Sequence, residues 1–138
     1  EDNDDDFYAT ERAFKKAQCG NKMVRCADGD SALDYLFKRG KYENTDNYIK
    51  PNLIILDLNL PGTDGREVLK QVKSTAGLKN IPVIILTTSN DDHDIKECYK
   101  LGSNSYIQKP VDFDKFIRSI QLIKDYWFEV VVLPTNES

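Results

Sequence analysis

The chain is poor in the residues that mark secreted, membrane-spanning or nucleic-acid-binding proteins. Its three cysteines, Cys19, Cys26 and Cys98, contain no CxxC pair and are odd in number. That pattern fits reduced thiols of a cytosolic protein and argues against a cysteine metal cluster. No apolar run approaches the roughly 18 residues of a membrane span, and no signal-peptide pattern opens the sequence, so a soluble, cytoplasmic protein is expected. Lys and Arg number 19 against 23 Asp and Glu, a formal charge of -4. A nucleic-acid surface would need clustered basic residues on one face, so direct DNA binding is not expected. The one histidine, His93, lies in the helix-start cluster Asn90-Asp91-Asp92-His93-Asp94 and reads as a surface residue without a role. At 138 residues the chain suits one domain with a single core.

What is present is an alternation of strands and helices. Residues 4–17 carry Phe7, Thr10, Phe14 and Ala17 at helical spacing, with Gly20 as the stop. Residues 23–27 read as a short strand, Asp30 as the cap of a helix bearing Leu33, Leu36 and Phe37, and Gly40 as its end. A polar loop over 41–52 precedes the apolar run Leu53-Ile54-Ile55-Leu56, typical of a strand covered on both faces. Residues 66–73, 81–87, 91–101, 105–108 and 113–128 continue as helix, strand, helix, strand, helix. The expected fold is α/β with a parallel sheet. It is a flavodoxin-like doubly wound sheet of strand order 2-1-3-4-5. Five helices but four strands are legible, so the central first strand is expected upstream of Glu1, with Val130-Val131-Val132-Leu133 as the alternative source.

In an open parallel sheet, residues that end different strands converge beyond the carboxyl edge. Asp57 closes one apolar run, Thr87 ends Val83-Ile84-Ile85-Leu86, and Lys109-Pro110 follows Tyr106-Ile107-Gln108. With the pair Glu1-Asp2 these residues point to phosphoryl transfer onto Asp57. A carboxylate and a phosphoryl group repel, so a cation must neutralise the transferred oxygens. Mg²⁺ suits the ligand set Asp2, Asp57 and Glu1 with the Asn59 backbone carbonyl. Lys109 offers a point charge, Thr87 a hydroxyl that can pull on the following loop.

The chain resembles a response-regulator receiver domain of two-component signalling on Glu1-Asp2-Asn3, Asp57 with Leu58-Asn59-Leu60-Pro61-Gly62, Asp64-Gly65, Thr87, Tyr106 and Lys109-Pro110. The resemblance implies that Asp57 accepts phosphate from a kinase histidine and that the Lys109-Pro110 peptide is cis. It also implies that Tyr106, with Thr88 and Ser89, belongs to the switch, and that Asn59 and Ser89 influence the acyl-phosphate lifetime. Thr88 stands where a small Ala is common. The loop over 41–52, residues 57–69 and the ending Asp125-Tyr126-Trp127 are similar to the stand-alone regulators of bacterial phytochromes. The implied partners are a sensor histidine kinase of phytochrome type and a downstream phosphotransfer or target protein. A switch is expected, not a metabolic enzyme, with residues 1–125 as the receiver and 126–138 as an apolar extension.

Each residue also has a plainer reading. Asp57 alone would be a turn or capping residue, Thr87 a β-branched strand residue, and Tyr106 half-buried core. Asp4-Asp5-Asp6 reads as a solvated acidic helix start. A haloacid-dehalogenase-type phosphatase shares the strand-end Asp but needs a second Asp two residues on, where Asn59 stands. An interaction module that keeps the fold without phosphorylation is the remaining alternative. The apolar ending Tyr126-Trp127-Phe128 with residues 130–133 either pairs with a second copy through residues 91–101, 105–108 and the last helix, or folds back on its own domain.

Overall fold

A computed structural model describes residues 1–15, 23–44 and 48–134. Three parallel strands, β1 (Ile54–Leu56), β2 (Val83–Thr87) and β3 (Ser105–Gln108), lie in the order β1-β2-β3. Helices α1 (Asp4–Lys15), α2 (Gly29–Leu36), α3 (Gly65–Lys73), α4 (Asp92–Leu101) and α5 (Phe113–Asp125) complete the alternation. All five residues of β2 are buried, as expected of a strand covered on both faces. Side chains alternate across it: Val83 and Ile85 join Leu33, Leu69, Val72 and Cys98 on one side, Ile84 and Leu86 join Ala13, Phe116 and Ile120 on the other. Helices therefore cover both faces, as the doubly wound reading requires.

The helix starts carry their own chemistry. Asp64, Asp91 and Asp112 each accept a hydrogen bond from a backbone N–H of the helix that follows, which satisfies donors left free in the first turn. α3 begins directly against the Asp57 backbone. A Cβ on Gly65 would stand 2.3 Å from the Asp57 carbonyl oxygen and 2.7 Å from Leu58 Cα, so only glycine allows this approach. Gly102, at φ +107, ends α4 in the left-handed region.

Several expectations are corrected. Residues 23–27 form no strand. A strand exists through its ladder, and among the described residues β1 pairs only with β2, leaving residues 23–26 without a neighbour across a cavity of about 520 Å³. Asp28, not Asp30, caps α2 through the Ser31 N–H, while Asp30 bonds the Thr63 hydroxyl. The Lys109-Pro110 peptide is trans, the lower-energy isomer of an X–Pro bond. Residues 16–20, including the predicted Gly20 stop and Cys19, lie outside the described residues. The last helix continues past Asp125 as a single π turn, Tyr126–Val130.

Candidate functional site

The parallel register brings the strand ends together. Asp57 directly follows β1, Thr87 ends β2, and Lys109 directly follows β3. The Lys109 N–H donates to the Thr87 carbonyl at 2.6 Å, which holds the last two strand ends in step. Asp57 is 8% exposed, Thr87 fully buried and Lys109 6% exposed, so the pocket floor is dry while its mouth is open at Asp2 and Asn59.

Lys109 is the centre of charge. Its ammonium donates to Glu1 Oε1 at 2.6 Å, to Asp57 Oδ2 at 3.1 Å and to Asp6 Oδ2 at 3.1 Å. Burial alone would lower the pKa of this amine, but the Glu1 hydrogen bond, the charges of Asp57 and Glu1, and the Asp6 hydrogen bond outweigh it and raise the pKa. Lys109 therefore stays a cation. Asp57 is oriented by a second bond, since its Oδ1 accepts the Asn59 N–H at 3.0 Å. The Asn59 side-chain amide in turn donates to the Thr87 hydroxyl at 3.5 Å.

One carboxylate oxygen from each of Glu1, Asp2 and Asp57 lies within 4.8 Å of the others. Three hard oxygen donors converging on one open point fit a small divalent cation that keeps several waters. Asp91, His93 and Asp94 form a second such grouping, but Asp91 and His93 are exposed and Asp94 is engaged by Arg66.

The structure unites Glu1, Asp2, Asp57, Asn59, Thr87 and Lys109. Tyr106 is half-buried and its hydroxyl donates to the Ser89 carbonyl at 3.0 Å; Thr88 faces solvent. Asp6 departs from the expectation of a solvated acidic run. Asn3 accepts the Asp6 N–H at 2.9 Å, and this capped first turn lays Asp6 against Lys109, whereas Asp4 and Asp5 are exposed. Arg66, Asp94 and Ser89 were also not read as a group. Arg66 binds Asp64 and Asp94, and Ser89 donates to Asp94.

Residues 1–121 match the response regulator receiver domain profile. This chain belongs to the response regulator receiver family. The receiver is 38% identical over 134 residues to the response regulator Rcp1 of Synechocystis sp., covering 97% of this chain and 89% of the relative. The Mn²⁺-bound crystal structure of Rcp1 superposes with a TM-score of 0.92, over 98% of this chain and 95% of that one. A phosphorylated cyanobacterial phytochrome response regulator, RcpA, superposes at 0.91 with 38% identity, covering 98% and 94%. The receiver thus has the flavodoxin-like fold of response regulators and belongs to a family of signalling proteins. Among the described residues no helix is long and apolar enough to cross a membrane.

Proposed function

We propose that Asp57 is the phosphoacceptor of this receiver and that the chain switches partner binding with its phosphorylation state. The observation that carries this reading is the Lys109 ammonium 3.1 Å from Asp57 Oδ2, facing the three-carboxylate cluster at the strand ends. Asp57 attacks the phosphorus of a phosphohistidine. The P–N bond breaks, a P–O bond forms, and the leaving imidazole takes its proton from solvent. Lys109 carries charge for a transferred oxygen and Thr87 donates its hydroxyl to another. A divalent cation, which we assign as Mg²⁺, would be held by Glu1, Asp2, Asp57 and the Asn59 carbonyl and would supply charge neutralisation at the phosphoryl oxygens. Water later hydrolyses the acyl phosphate and returns the carboxylate.

The likeness to phytochrome regulators supports a sensor histidine kinase of phytochrome type as donor, in the cytoplasm, and a phosphotransfer or target protein downstream. In this reading residues 1–125 are the receiver and 126–138 the extension. The apolar side chains that extension leaves outside, with Leu122, supply a face for a second copy of the chain.

The test is phosphate uptake from a small acyl-phosphate donor or a cognate kinase. Wild-type chain should acquire acid-stable, hydroxylamine-labile phosphate only with Mg²⁺ or Mn²⁺ present. Asp57→Asn should acquire none, because an amide is not a usable nucleophile. Undiminished labelling of Asp57→Asn, or equal labelling in excess chelator, would reject the assignment.

A further inference from the structure

Three acids share one ammonium at the strand ends. A lysine has three N–H donors and no acceptor, and those of Lys109 go to Glu1 Oε1 at 2.6 Å, Asp57 Oδ2 at 3.1 Å and Asp6 Oδ2 at 3.1 Å. Its side chain is 5% exposed, against 18% for Glu1, 9% for Asp57 and 20% for Asp6. An ammonium at that depth needs a carboxylate at all times, because burying a lone charge is costly.

The three acids are not equivalent. Glu1 and Asp57 converge with Asp2 on one point, and Asp6 is not part of that convergence. Glu1 and Asp57 also spend an oxygen on backbone, Glu1 Oε2 on the Asn3 N–H at 3.1 Å and Asp57 Oδ1 on the Asn59 N–H at 3.0 Å. Each of these two therefore answers to Lys109, to the backbone and to the point where a cation fits. Asp6 stands apart on the first turn of α1. Its N–H donates to Asn3 Oδ1 at 2.9 Å and its carbonyl accepts the Thr10 hydroxyl at 2.8 Å, so its place beside Lys109 is fixed through the backbone.

A positive charge held by Glu1, Asp2 and Asp57 competes with the ammonium for two of its three partners, and a phosphoryl oxygen needs one N–H of Lys109 released. An ammonium paired with Glu1 and Asp57 alone would resist both. With Asp6 present, one ion pair survives while two N–H groups are freed.

Resting on the phosphoacceptor reading of Asp57, we propose that Asp6 is a positioning residue for Lys109. It retains the ammonium when Glu1 and Asp57 turn to a divalent cation, which eases cation binding and keeps the freed N–H groups at the strand ends for a phosphoryl oxygen. Asp6 acts through Lys109, not by coordinating the cation.

The experiment titrates Mn²⁺ into the full chain, free of phosphate, and follows unbound Mn²⁺ by electron spin resonance in wild type, Asp6→Asn, Lys109→Met and the double variant. Asp6→Asn should weaken Mn²⁺ binding several-fold, and Asp6→Glu, which restores a carboxylate, should recover much of the loss. In the Lys109→Met background Asp6→Asn should change the affinity by no more than about twofold, the scatter of independent sites. An affinity unchanged in Asp6→Asn overturns the proposal. So does a weakening of equal size in the Lys109→Met background, which marks the loss of a nearby negative charge and nothing more. Should Lys109→Met fail to fold, phosphate uptake from acetyl phosphate at saturating Mg²⁺ decides: Asp6→Asn should be several-fold slower than wild type, and an equal rate overturns the proposal. The two readings fail differently. Wild-type chain that takes up no phosphate refutes the phosphoacceptor reading while the Mn²⁺ comparison still judges Asp6, whereas normal uptake with Mn²⁺ affinity indifferent to Asp6 refutes this proposal alone.

Discussion

The backbone N–H of Lys109 donates to the carbonyl of Thr87 at 2.6 Å, so the cation and the hydroxyl of the site hang from two strand ends joined by one hydrogen bond. Thr87 is fully buried and held by Asn59, while Tyr106, two residues into β3, reaches the Ser89 carbonyl on the loop that Thr87 begins. A pull on the Thr87 hydroxyl is therefore felt by the loop that leads into α4.

Thr87→Ala should still accept phosphate on Asp57, because Lys109 and the carboxylates remain. It should lose most of the phosphorylation-dependent shift over residues 91–101, since the group that draws the loop toward the phosphoryl oxygens is gone. Amide spectra of the phosphorylated and free forms give the measurement. A shift as large as that of wild type would refute the coupling.

Gly65→Ala tests how closely α3 supports Asp57. The added Cβ would meet the Asp57 carbonyl oxygen and Leu58 Cα, both backbone atoms that cannot swing aside. Overpacking of this kind costs about 1–3 kcal/mol, and here the displacement falls on the acceptor itself. Urea unfolding should show that loss, and Mn²⁺ titration should show weakened affinity. Wild-type values in both would remove the packing argument.

The Arg66–Asp94 pair has a defined acid dependence. The Arg66 hydrogen bond, with that from Ser89, holds the Asp94 carboxyl below its ordinary value of about 4. A depressed folded pKa contributes stability that is complete above the unfolded value and is lost as pH falls through the folded one. The groups facing Asp94 are Arg66, Ser89 and His93, with Asp64 across the guanidinium. Asp94→Asn should thus be less stable than wild type at pH 7 by on the order of 1 kcal/mol. In urea the gap should stay level down to about pH 5 and begin to narrow below about pH 4. A gap as wide at pH 3 as at pH 7 contradicts the linkage.

The extension divides its apolar residues between two surfaces. Trp127 packs on the cluster of α1 and α5, and Phe128 meets Phe14 edge to face at 5.3 Å, so part of the segment folds back. Leu122, Tyr126, Val130 and Val132 stay exposed. Leu122→Glu and Val130→Glu should abolish self-association in sedimentation at concentrations well above micromolar while leaving phosphate uptake intact. A wild-type chain that is monomeric throughout, phosphorylated or not, removes the second copy from the reading.

Much of the site was legible because its geometry follows from periodicity. Asp57 and Thr87 each stand at the end of a short apolar run and Lys109 directly after the short β3 segment, and parallel strands place such ends side by side whatever the loops between them do. The buried faces of α3 and α5 were likewise written in their spacing, through Val68, Leu69 and Val72 and through Phe116, Ile120 and Ile123.

Tertiary structure decided the rest. Residues 23–27 have strand composition, yet composition cannot supply a ladder partner, and none pairs with them among the described residues. Asp28 and Asp30 are equally good caps in isolation; contact with Thr63 and Pro61 assigned one to the helix and the other to the neighbouring loop. Asp6 looked like one of three solvated acids until α1 was laid beside Lys109. The Arg66 bridge joins residues 28 apart in the chain, and nothing local distinguishes it from any exposed arginine. Strand ends and apolar stripes depend on neighbours within a turn or two, which the sequence itself carries. Ion pairs and sheet ladders depend on which surfaces meet, and only the packed chain brings those surfaces together.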